Sequence, residues 1–345
     1  MNAEILVEIT RGALVEAAHR GHIAVVDVQG SLLAWVGDPD HCCYIRSAAK
    51  PLQLLPMLED GLDQRFGFSD PELAVMAASH SGEGRHTRAV AHILAQAGLD
   101  QSALQCGVHA PMHRETRRQM AIRGEQPTAL HNNCSGKHAA MLVQAQAGGH
   151  SLDDYLDPAH PIQQRILEVI REMTGAEPVI GVDGCGVPVF GLPLQAMALA
   201  YARLIDPQDL FPKRAAACRR LTAAMRAHPG MVSGQNRLEE VLAPATDGRL
   251  LIKGGAEGLY AVGIPAAGSP TGRGLGLVLK MEDGSAGARA RDPALLEALA
   301  QLGVLNAAGR ATLARFDVGP VHNHRGDVVG EKRAVFRLHR ERRGQ

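Results

Sequence analysis

The sequence has no excess of charge of either sign. Its 345 residues hold 36 Lys+Arg and 36 Asp+Glu, so the formal net charge is zero. A surface built for nucleic acid or anionic lipid is therefore not expected. It also has no dense cysteine framework. The six cysteines, Cys42, Cys43, Cys106, Cys134, Cys185 and Cys218, are scattered, and a chain this long needs no disulfide staples. Free thiols imply a reducing compartment, so a cytoplasmic protein is expected. Long apolar runs are missing too. Residues 184 to 202 carry no charge, but Gly184, Gly186, Pro188, Gly191, Pro193 and Gln195 interrupt them. That stretch reads as a core loop leading into a helix, not as a membrane span. The opening "MNAEILVEITRGALVEAAHRG" sets acids inside its apolar positions, the wrong pattern for a secretion signal. There is no internal repeat and no low-complexity linker. Apolar residues are plentiful, at 46% of the chain, enough for one large core or two ordinary ones.

The patterning predicts strands at both ends and helices between them. "HIAVVDVQGSLLAWVGDPD" reads as two apolar strands turning near Gly30 and Ser31, with a strand at residues 4 to 9 beside them. Such short connections imply antiparallel neighbours. Helical rhythm follows at residues 48 to 59, 70 to 78, 85 to 97, 137 to 147, 159 to 173, 194 to 204 and 212 to 227. Ile162, Ile166, Leu167, Ile170 and Met173 illustrate it, making one apolar face. Strands return at about 248 to 253, 258 to 263, 273 to 281 and 328 to 337, with one helix near 292 to 303. The fold class expected is α+β: a mainly antiparallel sheet from the N- and C-terminal strands, flanked by helices. A single domain is expected over residues 1 to 345. Its sheet part is residues 1 to 50 and about 245 to 340, and residues 51 to 244 are mostly helical. The basic tail "RLHRERRGQ" reads as a solvated, frayed end.

Chemistry-bearing residues gather in a few short stretches. In "IRSAAKPLQLLPML", Ser47 and Lys50 stand three positions apart at the mouth of an apolar helix. Side chains at i and i+3 share a helix face. Pro51 lacks an N–H and so fits only near a helix start, which places Ser47 among free N–H donors. A lysine buried there and kept neutral can take the serine proton. The plain alternative is an N-cap and a solvated charge. In "AASHSGEGRH", Ser79, His80 and Ser81 follow an apolar helix in a glycine-punctuated loop; loops hold functional polar groups more often than cores do, and a polar helix end is the alternative. In "HNNCSGKHAAML", Cys134, Lys137 and His138 cluster at a helix N-terminus, where a thiolate is stabilised. Ser135 can cap that helix, and Asn132 and Asn133 can bind a polar ligand. In "GVDGCGVP", glycines let the backbone turn tightly around Asp183 and Cys185. Two cysteines on separate loops can hold zinc or stand as buried structural thiols.

Lys253 ends an apolar strand beside Gly254 and Gly255. This resembles the K-T-G element of serine β-lactamases; an ordinary strand-edge lysine is the alternative. Gly272, Gly274 and Gly276 meet no phosphate-loop pattern, and their period of two reads as a strand face that something packs against closely. His322 and His324 read as solvated turn residues.

Taken together, "EITRG", "RSAAKPLQ", "ASHSGE", "HNNCSGKHAAML", "DGCGVP" and "KGGAEG" resemble, in order and spacing, the thermolabile rhizobial-type L-asparaginases, the third asparaginase class. The likeness runs over nearly the whole chain. It implies a fold like that of serine β-lactamases and serine-dependent glutaminases. It implies two Ser–Lys pairs, Ser47 with Lys50 and Ser79 with Lys253, and Arg46 in the active site. It further implies a zinc ion on Cys134, Lys137 and Cys185 with Asp183 close by, and a homodimer. Arg46, Asp183, His80 and Asn133 are the expected substrate-contacting residues.

The expected reaction is hydrolysis of L-asparagine, a small-molecule substrate, by double displacement, with no nucleic-acid or membrane partner. Ser47 attacks, Lys50 accepts its proton, and backbone N–H groups hold the oxyanion. Two alternatives stand beside it: another Ser/Lys amidohydrolase, such as a glutaminase or a β-lactam-interacting protein, and a zinc-binding sensor without turnover.

Overall fold

The computed structural model describes residues 2–340. The chain forms two compact units. The first comprises the residues up to Cys43, Leu192–Asp206 and those from Val241 onward; the second comprises Tyr44–Gly191 and Pro207–Glu240.

The first unit is a curled antiparallel sheet. Across it the strands run Gly319–His322, Val328–Ala334, Glu4–Arg11, Leu14–Asp27, Leu275–Met281, Leu259–Ile264 and Leu251–Gly255. The long strand Leu14–Asp27 joins two neighbourhoods. Its first half pairs with Glu4–Arg11, and its second half lies between Leu275–Met281 and Leu32–Val36. Seven consecutive residues from Gly21 to Asp27 are buried, the sign of a strand covered on both faces. The helix Leu194–Ile205 packs on this part of the sheet. It comes so close that a Cβ on Gly276 would lie 1.7 Å from Ala198 O, and one on Gly263 would lie 3.1 Å from Tyr201 O. The glycine face expected near residues 272 to 276 is therefore real at Gly276. At Gly274 the neighbour is Asp206, whose carboxylate accepts the Gly274 N–H at 2.8 Å. Gly272 serves differently, turning the chain with φ +72° over open space. The helix Ala288–Gln301 packs against Glu4–Arg11 and Val328–Ala334. Each leucine so covered contributes roughly 2 kcal/mol of apolar transfer.

The second unit is helical. Its centre is the helix Lys50–Glu59, buried at every position and enclosed by Ser135–Gly148, Pro161–Thr174 and Pro212–Ala227. A helix apolar nearly all round must be enclosed in this way. Glu59 at its far end is paired with Arg214, and with Arg165 at 2.7 Å. The helix Asp70–Met76 begins with a capping box between Ser69 and Glu72 and with a proline in its first turn. The helix Ser135–Gly148 crosses it so tightly that a Cβ on Gly136 would lie 2.1 Å from Val75 O.

Several expectations are corrected. Residues 188 to 193 are a strand, Pro188–Pro193, paired antiparallel with Val179–Val182, not a loop. The helix Arg114–Arg123 was not expected, because its sequence RETRRQMAIR buries only Met120 and so has no apolar face to read. The strand Gly319–His322 was also missed; it alternates half-buried and exposed residues at the sheet edge. The start of the basic tail is not frayed, since His339 and Arg340 pair with Trp35 and Ala34; residues 341–345 lie outside the described residues. Among the described residues no helix is long and apolar enough to cross a membrane.

Candidate active site

The second unit brings most of the singled-out residues together. A short 3-10 turn, Arg46–Ala49, leads into the helix Lys50–Glu59. Ser47 lies in that turn, half-buried. Arg46 before it has φ +50°, a left-handed conformation that non-glycine residues rarely adopt and that collects at functional sites. Its guanidinium donates to Asp183 Oδ1 at 2.9 Å. Asp183 itself stands in a turn closed by its own N–H to Val187 O and by Gly186 N–H to Asp183 O, each at 2.9 Å.

The Lys50 side chain is 1% exposed. Its amine lies 2.5 Å from Ala78 O, 3.0 Å from Ser79 Oγ and 3.2 Å from Asn133 O. The partner within reach is Ser79, from the loop after the helix Asp70–Met76, rather than the Ser47 that sequence spacing suggested. Two of these three partners are carbonyl oxygens and can only accept. The amine is placed to donate to both carbonyls and to the Ser79 hydroxyl oxygen, and it also bonds to the Cys134 thiol. Burial pushes the Lys50 pKa down, with the Lys137 charge adding to it and the thiols Cys134 and Cys185 opposing it. Desolvation is the dominant cause, as expected for a fully buried amine.

Around this amine sit the thiols. Lys137 Nζ donates to Cys185 Sγ at 3.1 Å. Cys134 is held well below the usual thiol range, first by a hydrogen bond from Cys185 and then, against its burial, by the charges of Lys50 and Lys137. Cys185 is correspondingly pushed up, by sharing that hydrogen bond and by burial. Burial disfavours the Lys137 charge, but Cys134, Cys185 and Asp183 together outweigh it and raise its pKa. Burial likewise opposes the charge of Asp183, and Lys137 and Arg46 hold its carboxyl below its ordinary value.

Among the described residues no three His, Cys, Asp or Glu side chains gather as a metal-binding group. Zinc on this cluster therefore requires the Lys137 amine as the third donor beside the two thiols. The donor types suit zinc, and the amine and one thiol are already in contact. Binding would have to expel protons from Lys137 and the thiols.

The remaining predicted residues take other tasks. His80 is fully buried, with Nδ1 accepting from Gly82 N at 3.2 Å and Nε2 2.9 Å from Ser135 Oγ. Burial and the nearby His86 ring keep it neutral. Both nitrogens are engaged within the protein, so His80 ties the Ser79 loop to the helix Ser135–Gly148 instead of reaching for a ligand. Ser135 does not cap that helix; it is the first helical residue, and its hydroxyl donates to Leu130 O at 3.0 Å. Asn132 is buried and bonded to Cys106 O, Gly107 O and Cys134 N. Asn133 offers its carbonyl to Lys50 and its Oδ1 to Cys134 Sγ at 3.2 Å.

Lys253 belongs to the first unit. It sits on the terminal strand Leu251–Gly255, is 1% exposed, and donates to Gly254 O at 2.8 Å. A solvated lysine guarding a sheet edge would not be enclosed in this way, so the plain alternative offered by the sequence does not hold.

A fully buried amine within reach of a serine hydroxyl, beside two thiols and a clamped arginine, is the equipment of a hydrolase that cleaves amides through a nucleophile. The chain belongs to the L-asparaginase II family, whose sequence profile matches residues 7–334; it is an amidohydrolase. No curated protein matches the chain. Among solved structures it is similar to a Bacillus glutaminase crystallised in 4.3 M NaCl, at 14% identity, covering 76% of this chain and 83% of that one with a TM-score of 0.41. It is also similar to a probable glutaminase from Bacillus subtilis complexed with 6-diazo-5-oxo-L-norleucine, at 12% identity, covering 83% and 85%, with a TM-score of 0.41.

Proposed function

We propose that the enzyme hydrolyses the side-chain amide of L-asparagine to L-aspartate and ammonia by double displacement. One observation carries this reading: the buried Lys50 amine, its pKa pushed down by burial, lies 3.0 Å from a serine hydroxyl. Ser47 Oγ attacks the amide carbon, and its proton passes to Lys50, with the Ser79 hydroxyl as relay. The C–O bond forms as the carbonyl becomes an oxyanion, held by backbone N–H groups at the helix mouth. Collapse breaks the C–N bond, and the nitrogen leaves as ammonia with the proton returned by lysine. Water then attacks the acyl-enzyme, again giving its proton to the neutral amine, and releases aspartate and free serine. Lys253, buried on its strand in the sheet unit, is the further lysine to which the family resemblance gives a catalytic part. Arg46 and Asp183 recognise the substrate carboxylate and ammonium; their mutual ion pair keeps both oriented before substrate arrives.

Cys134, Cys185 and Lys137 would hold a zinc ion, which supplies a fixed positive charge and Lewis acidity when bound. Removing these donors tests that part: Cys134→Ala should lose metal by elemental analysis and lose thermal stability on chelation. The expected assembly is a cytoplasmic homodimer, checked by light scattering on the full chain.

A second reading, Ser79 as the nucleophile, is favoured by its 3.0 Å approach to Lys50. Trapping with a diazoketone amino-acid electrophile, followed by intact mass and peptide mapping, separates the two. Label on Ser47 supports the first reading and label on Ser79 the second. Ammonia release from glutamine equal to or above that from asparagine would overturn the substrate assignment.

A further inference from the structure

The segment Cys106–His113, "CGVHAPMH", carries no catalytic pattern, yet it ties down both loops around Lys50. Cys106 O and Gly107 O accept from Asn132 Nδ2 at 2.7 and 3.2 Å. His113 N donates to Ser81 O at 2.9 Å. Pro111 packs on Gly82, where an added Cβ would approach the proline to 3.1 Å. Between these anchors His109 Nε2 accepts the backbone N–H of Asn133 at 3.0 Å, while Nδ1 lies 2.8 Å from Ala110 O. An amide N–H can only donate, so Nε2 must be bare; the proton then sits on Nδ1, where Ala110 O accepts it. One neutral tautomer satisfies both contacts. Asn133 is also the residue whose carbonyl oxygen accepts from Lys50.

We propose that His109 is a positioning residue for the lysine base: its bare Nε2 clamps the Asn133 backbone and so fixes the carbonyl that orients the Lys50 amine toward serine. This rests on the reading of Lys50 and its serines given above. In this proposal the clamp acts on Lys50 through Asn133 and makes no substrate contact of its own. Its loss should therefore slow the chemical step and leave substrate binding in place, since small displacements of a catalytic group are felt in the rate.

Three variants of the full chain test it. In His109→Gln, Oε1 can reach the position of Nε2 and accept from Asn133. In His109→Asn the side-chain oxygen falls near Nδ1 and cannot. His109→Leu removes both contacts. We expect kcat on L-asparagine to fall about 10- to 100-fold in the Leu and Asn variants with KM within about twofold, and the Gln variant to recover to within about threefold of wild type. The Asn133 amide proton, followed by NMR, should move upfield in the Leu and Asn variants and return in Gln. Equal kcat in all three variants, or a loss confined to KM, overturns the proposal. If His109→Leu fails to fold, the Gln and Asn variants still decide, because only the position of the acceptor separates them. If the wild type releases no ammonia from asparagine, the substrate reading falls instead. His109 is then judged by the rate of covalent labelling with the diazoketone electrophile: slowing in Leu and Asn but not Gln supports the clamp, and equal labelling overturns it.

Discussion

The two units of this protein bury different things. The sheet unit encloses aliphatic strands, and among its described residues the buried charged and histidine side chains are few: His19, His22, Asp27, Lys253 and Asp317. The helical unit buries Lys50, Lys137, Glu59, Arg214, His80, His86 and His138, with the thiols Cys134 and Cys185 beside them. Removing such groups from water is unfavourable unless each finds a partner. The helical unit supplies partners in chains, from Glu59 with Arg214 and Arg165 at one end of a helix to Lys50 with its carbonyls and serine at the other. Burial without a full set of partners shifts such groups from their ordinary pKa values, as it does for Lys50 and His80. Lys253 is the sheet unit's exception, and it is the one lysine there that the resemblance assigns to catalysis.

The sharpest way to break this contrast is at the serine. Ser47→Ala should lower turnover by on the order of 10³-fold or more while the melting temperature stays put. A variant that keeps wild-type activity refutes the nucleophile assignment, and a large loss in Ser79→Ala alone transfers the role. Next come the two tight crossings. Gly276→Ala, in the sheet unit, should destabilise by about 2–3 kcal/mol in a urea titration, because the Ala198 carbonyl cannot retreat. Gly136→Ala should cost about as much against Val75 O, and should also reduce kcat, since that helix carries Lys137. Equal kcat losses in both variants would erase the distinction between the units.

Acid should then act unevenly. Burial pushes His80 and His138 well below the usual value of 6.5, so both stay neutral in the fold. Below that value the unfolded chain takes up protons that the native state refuses. Stability therefore falls as pH drops, by up to about 1.4 kcal/mol per pH unit for each such histidine. Trp35, the single tryptophan, lies in a strand of the sheet unit, so its fluorescence follows that unit, while most of the far-UV helical signal comes from the helical unit, the sheet unit adding Leu194–Ile205 and Ala288–Gln301. We expect the helical signal to be lost at higher pH than the Trp35 signal; the reverse order would contradict the assignment of buried charge. The smallest effect belongs to Arg46→Gly. Glycine relieves the left-handed φ, so stability should hold or rise by up to about 1 kcal/mol, while KM rises as the guanidinium is lost.

The fold was legible where one periodicity ruled. Residues 159 to 173 show their apolar face in the sequence, and the helix is Pro161–Thr174. The strands turning at Gly30 are where alternation and short spacing put them. Pro188–Pro193 was misread because its prolines and glycine mimic a loop, although the strand pairs with Val179–Val182 in the ordinary way. The candidate site was legible as a set of residue types but not as a set of contacts. Spacing at i and i+3 joined Lys50 to Ser47; packing of the helix Asp70–Met76 delivered Ser79 instead. His109 was invisible, since a histidine in an aperiodic loop carries no signal until the amide it clamps is known.

By itself the sequence determined the α+β class, the order of its elements, and which serines, lysines and cysteines stand at the mouths of apolar helices, because these follow from local periodicity and from what proline and glycine permit. Tertiary structure alone decided which hydroxyl meets the Lys50 amine, which thiol meets the Lys137 amine, and that His80 braces a loop. Those outcomes depend on burial and on partners dozens of residues away, and neither quantity exists until the chain is packed.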